Sequence, residues 1–168
     1  MRCLPRLFFT LLLLTQVWMP AYAQVSESEL KAAVIYNFVQ FTQWPDKSGS
    51  SVITLCMSPE SGLYAALQKV AARPAQGREV AVVPIVNAGS GDCQAVFMTY
   101  EDKRRLPQFQ RLLTGPVLSI TDDPAAGDMM IVMSVERNRI VFSVNNAKAV
   151  STGLSISSRL LRLARSVQ

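Results

Sequence analysis

Short runs of β-branched and aromatic residues alternate with stretches of helical periodicity along this chain. That alternation limits the available folds more than any single motif does. Val52–Met57 (VITLCM), Val80–Val86 (VAVVPIV), Ala95–Thr99 (AVFMT) and Val117–Ile120 read as strands. Met129–Val135 and Ile140–Val144 read as a hairpin around Glu136-Arg137-Asn138-Arg139. Pro84 cannot donate to a ladder, so VAVVPIV lies at a sheet edge or ends early. Ser26-Glu27-Ser28-Glu29 reads as a capping box, and Leu30, Val34, Phe38 and Phe41 share one face of the helix it opens. Leu63, Leu67 and Val70 mark a second helix, and Glu101–Leu113 a third, restarted at Pro107 and stopped at Gly115-Pro116. Asn146–Val150 is a short helix, and Leu154–Arg165 a final one with Ile156, Leu160, Leu163 and Val167 on one side. The expectation is an α/β fold: a single three-layer domain, a mixed β-sheet with helices on both faces, and a C-terminal hairpin plus helices.

The first residues stand apart from this pattern. Arg2 and Arg6 precede the apolar run Leu7–Leu14, and Ala21-Tyr22-Ala23 fits a small-x-small cleavage site. Residues 1–23 are expected to be a cleaved signal peptide, leaving 24–168 as one exported soluble domain; an uncleaved anchor is the alternative reading. The apolar run is short for a membrane span. Of 17 basic residues, Arg2 and Arg6 leave with the leader; against 12 acidic residues the remainder carries +3. A charge that small and scattered is no nucleic-acid footprint.

Composition also narrows the chemistry. The chain has no histidine, which removes the commonest general base, the commonest zinc ligand and every Ser-His or Cys-His pairing. Gly89-Ser90-Gly91 lacks the Lys-Ser/Thr of a phosphate loop and precedes a strand, so it reads as a turn. Asp122, Asp123 and Asp128 do not have EF-hand spacing and read as turn and helix-start residues. No serine sits in a nucleophile-elbow setting. No catalytic residue, cofactor or metal site is therefore expected, and the chain is read as a non-enzyme. Asn37 falls among the apolar residues of the first helix, where a buried amide needs a partner, so it is expected to tie that helix to a neighbouring backbone. Arg159, Arg162 and Arg165 recur every third residue of the expected last helix. They read either as a solvated face or as a contact surface for an acidic partner or anionic membrane.

Removal of the leader takes Cys3 and leaves two cysteines, Cys56 and Cys93, in an oxidising compartment. One lies in a strand and the other just before a strand that could be its neighbour. A bridge would close a loop of about 38 residues, worth roughly 3–4 kcal/mol in the chain-entropy treatment. Two buried free thiols acting as small hydrophobes remain the alternative.

The stretch Lys31-Ala32-Ala33-Val34-Ile35-Tyr36-Asn37-Phe38-Val39-Gln40-Phe41-Thr42-Gln43-Trp44-Pro45 resembles the opening signature of the YfiR family of periplasmic proteins, K-A-A-x-[LI]-Y-N-F-x-x-F-[TV]-x-W-P. The likeness continues at Cys56, at Cys93–Phe97, through Pro116–Asp122, through Ile140–Asn145 with Ala147, and at Gly153–Ala164. The resemblance implies a three-layer α/β domain, often dimeric, that binds the periplasmic sensor region of an inner-membrane diguanylate cyclase and represses it. Cyclic-di-GMP and biofilm formation would fall as a result, and an outer-membrane lipoprotein could sequester the repressor. It matches Cys56 and Cys93 to the family's widely shared cysteine pair. A second pair known in the family has no counterpart here, and Asp128-Met129-Met130-Ile131 replaces a usual Gly-Gly-Met-Ile segment.

Two functional classes remain. One is a regulatory protein acting by complex formation, with Arg159 and Arg162 as the candidate partner-binding residues. The other is a small-molecule-binding sensor module with its ligand in a crevice at the strand ends.

Overall fold

The computed structural model describes residues 26–45, 52–72, 78–89, 91–137 and 139–168. The leader read at residues 1–23 lies outside them, as do Ser90 and Asn138. Along the described chain run α1 (Glu27–Gln40), β1 (Thr42–Gln43), β2 (Val52–Met57), α2 (Gly62–Ala71), β3 (Glu79–Pro84), β4 (Ala95–Met98), α3 (Leu106–Leu112) and β5 (Leu118–Thr121). There follow β6 (Ile131–Glu136), β7 (Arg139–Val144), α4 (Asn146–Ser151), β8 (Ser155–Ile156), α5 (Ser158–Leu161) and β9 (Ser166–Val167). Single 3₁₀ segments cover Ile85–Asn87 and Tyr100–Arg105.

The apolar runs pair into a seven-stranded sheet of order β3-β2-β4-β5-β6-β7-β9. Strands β2 to β6 are parallel to their neighbours, β7 returns antiparallel to β6, and β9 adds parallel to β7. Buried on both faces, the central strands carry apolar residues at successive positions rather than alternate ones. Ile53, Leu55, Met57, Ala95, Phe97, Leu118 and Ile120 enter the larger core, under α1, α2 and α4. Cys56, Val96 and Met98 point the other way, into a smaller cluster with Ile85, Phe109 and Leu112. Helices on both faces of a mostly parallel sheet make the three layers expected.

Each end of the sheet is handled locally. Pro84 is the last residue of β3, which forms one edge, so the strand stops two residues short of Val86 and turns into the 3₁₀ segment. The Gln40 side chain extends that edge: its Nε2 donates to the Arg78 carbonyl at 2.6 Å and its Oε1 accepts from the Arg78 N–H at 3.1 Å. At the other edge the chain's last residues pair with β7, and the Gln168 carbonyl accepts from the N–H groups of Asn146 and Ala147.

Two expectations fail here. The capping box opens α1, with Ser26 and Glu29 bonded reciprocally, but the buried face is Ala32, Ile35, Tyr36, Phe38 and Val39. Leu30 is 42% exposed, and Asn37 is exposed rather than a buried tie. Ala32 to Phe41 is apolar nearly all the way round, so periodicity alone cannot give the helix its phase. The expected helix Leu154–Arg165 is instead β8, the single turn α5 and β9. Ile156 pairs with Thr42, the Ser157 N–H donates to the Phe41 carbonyl at 2.9 Å, and Ser166 pairs with Ser143. Strand pairing overrides the helical spacing. Leu160 and Ile156 are buried, whereas Leu163 is 70% exposed.

Candidate functional site

The chain leaves β2 for β3 on one side and then returns to lay β4 on the other side of β2. In a parallel α/β sheet this reversal opens a crevice beyond the strands' carboxyl ends, where such folds place ligands. The residues straight after the two strands, Ser58 and Thr99, border a crevice of about 360 Å³ together with Glu60, Ser61, Arg104 and Arg105.

Its polar groups are already organised. The Arg105 guanidinium lies 2.6 Å from the Glu60 carboxylate, and Ser58 Oγ donates to the same carboxylate at 2.7 Å. Arg105 Nη1 also donates to Ser58 Oγ at 3.2 Å. The Arg105 hydrogen bond, then that of Ser58, lowers the Glu60 carboxyl to about 2. The same pairing raises Arg105 above its ordinary value. The pairing holds the Glu60 carboxylate ionised and engaged at the rim of the crevice. On the other wall, Asp102 is buried and accepts from Thr99 N–H at 3.1 Å and Thr99 Oγ1–H at 2.7 Å. That bond folds Tyr100–Arg105 into its 3₁₀ turn and carries Arg105 over the crevice. The arrangement can bind and orient polar groups.

Cys56 and Cys93 are disulfide-bonded, with Cα atoms 5.8 Å apart and the two residues 37 positions apart in sequence. Cys56 lies opposite Val96 on the adjacent strand, and Cys93 stands two residues before β4 begins, so the bond ties the segment entering β4 to β2 outside the ladder itself. Both cysteines are within 2% of full burial. Shielded this way, the bond is a brace on the second core, since exchange requires a thiolate to reach a sulfur.

The other singled-out residues disperse. Arg159 stacks over the Phe41 ring, 5.5 Å from its centre, at the carboxyl end of α1. Lys31, near the start of α1, bonds Asp122 just past β5 at 3.4 Å, so Arg159 lies at the opposite end of the sheet from the crevice. Arg162 caps the single turn of α5 and is exposed, while Arg165 pairs with Glu136 of the hairpin. The three arginines therefore form no continuous helical stripe. Asp122, Asp123 and Asp128 do turn and pairing work: Asp122 accepts from Tyr100 N–H at 2.8 Å, Asp123 from Ala125 N–H at 3.0 Å, and Asp128 bonds Lys148. Among the described residues no cluster of three or more Cys, Asp and Glu could hold a metal ion. Ser58, Glu60, Thr99 and Arg105 were not singled out from the sequence, and Asp102 reads there, paired with Glu101, only as a first-turn carboxylate, which is where it lies in the 3₁₀ segment. Their signal was positional: each lies within a few residues of the end of an apolar strand run.

Comparison with known proteins is decisive at the level of family, because residues 28–165 match the YfiR/HmsC-like family. The chain belongs to the YfiR/HmsC-like family. The match runs from the first turn of α1 to the residue before β9, so it spans the crevice, the disulfide and the C-terminal arginines alike. Among solved structures, a conserved domain protein from Vibrio cholerae is similar at a TM-score of 0.54 and 10% identity. The alignment covers 85% of this chain and 60% of that one, and at such identity it speaks for the fold alone. Among curated proteins nothing matches. No helix among the described residues is long and apolar enough to cross a membrane.

Proposed function

We propose that this protein is exported with its leader removed, docks on the periplasmic sensor region of an inner-membrane diguanylate cyclase and holds the enzyme off. The observation that carries this reading is the family match over residues 28–165. Repression is a population shift: moving a cyclase from mostly on to mostly off takes about 5.5 kcal/mol of differential affinity for the off state. A homodimeric repressor suits a dimeric cyclase, because one symmetry axis lets both contacts form together. Release by an outer-membrane lipoprotein would act by competition for the repressor. Arg159 and Arg162 are the proposed contacts. Both are exposed, and Arg162 has no carboxylate partner among the described residues.

Deleting the gene is expected to raise cellular cyclic-di-GMP and biofilm. Levels unchanged across growth conditions overturn the reading. A pull-down of the tagged periplasmic protein is expected to bring down a membrane cyclase, and Arg162→Glu to reduce that capture while the fold persists. A second reading, a small-molecule sensor for another signalling partner, is favoured by the crevice at Ser58, Thr99 and Arg105. A ligand that raises the melting temperature without any partner protein would support it.

A further inference from the structure

A second concavity, of about 410 Å³, lies between the 3₁₀ segment Ile85–Asn87 and α3, against the smaller core. Its chemistry differs from that of the crevice. Ile85 and Leu112, each 4% exposed, form the floor and belong to the cluster that holds the disulfide. Ala88 closes one wall, and Val86 stands at the lip, 60% exposed. Gln108 and Arg111 of α3 supply its polar groups. The wall formed by the segment after β3 is held without a ligand: the Gly89 N–H donates to Asp92 Oδ2 at 2.7 Å, and Cys93 bonds the next residue to β2. A braced, mostly apolar hollow with a few polar groups, near the lower end of the usual size range, is the ordinary form of a small-molecule site.

The charge selects the ligand. Arg111 is exposed and has no carboxylate partner among the described residues. A neutral amphiphile gains no charge interaction from that guanidinium, which stays hydrated, a cation is repelled by it, and an anionic head group is attracted to it. We propose that this groove binds a small amphipathic carboxylate, with its apolar part on Ile85, Val86 and Leu112 and its head group at Arg111. The site is separate from the proposed docking residues Arg159 and Arg162, so it stands or falls independently of cyclase repression.

The test uses the purified exported protein with its disulfide intact. Decanoate, decanol and decyltrimethylammonium, each below its micelle concentration, are titrated by calorimetry, and backbone amides are followed by NMR. Decanoate is expected to bind at one saturable site, to shift amides of 85–89 and 106–112, and to bind more tightly than the alcohol or the cation. Arg111→Glu and Val86→Asp lie at exposed positions and are expected to weaken decanoate binding about tenfold or more each, with unchanged melting temperature without ligand. Absent binding, equal binding of the cationic analogue, or affinity indifferent to both variants overturns the proposal, as do amide shifts centred on Ser58 and Thr99.

Discussion

Glu60 shows how a surface residue can be both exposed and strongly biased. Its carboxyl sits at about 2 against an ordinary 4.5 because Arg105 and Ser58 bond its charged form. A carboxyl depressed on folding stabilises the native state above its unfolded value, and that contribution fades as pH falls from about 4.5 towards 2. An NMR titration is therefore expected to give Glu60 a midpoint near 2, and Arg105→Gln to move it back towards 4.5. At exposed sites such pairs add little to stability, so the variant should fold normally. Phe38 is the opposite kind of residue. It is 1% exposed, and its ring meets Phe142 edge-on with centres 4.8 Å apart. Phe38→Ala leaves a cavity between α1 and the hairpin and is expected to cost about 3–5 kcal/mol, read from denaturant unfolding.

Among the elements, α1 is the one whose start is written most clearly in sequence. The Ser26 hydroxyl accepts from Glu29 N–H at 3.1 Å, and the Glu29 carboxylate reaches back to Ser26 N–H at 3.4 Å. The Lys69 bond from α2 and the Ser26 N–H hold Glu29 below its usual range, so the cap also joins two helices. Ser26→Ala is expected to cost about 1 kcal/mol, with the loss of amide protection confined to the first turn. The C-terminal segment obeys a different rule. Leu154–Arg165 has helical spacing, yet β1 and β7 offer open backbone partners on both sides, and ladder bonds to them outweigh the small preference of a short isolated helix. The Arg159, Arg162 and Arg165 stripe disappears with that helix.

On the scale of the whole molecule, the disulfide ties β2 to the entrance of β4, the strand pair at which the strand order of the sheet reverses. Its reduction is expected to lower global stability by roughly 3–4 kcal/mol while leaving the far-ultraviolet circular dichroism native, measured by guanidinium unfolding with and without reductant. The oxidised, exported protein should show no titratable thiol after denaturation. Sequence alone was enough for the strand runs, the capping box, the edge position announced by Pro84 and the family, because each is carried by neighbouring residues or by a linear motif. The face that α1 buries, the exposure of Asn37, the fate of the last fifteen residues and the gathering of Ser58, Glu60, Thr99, Asp102 and Arg105 were decided only in three dimensions. Those features depend on which distant strand lies alongside, and a backbone hydrogen bond or a buried contact between residues forty positions apart leaves no periodicity in the chain.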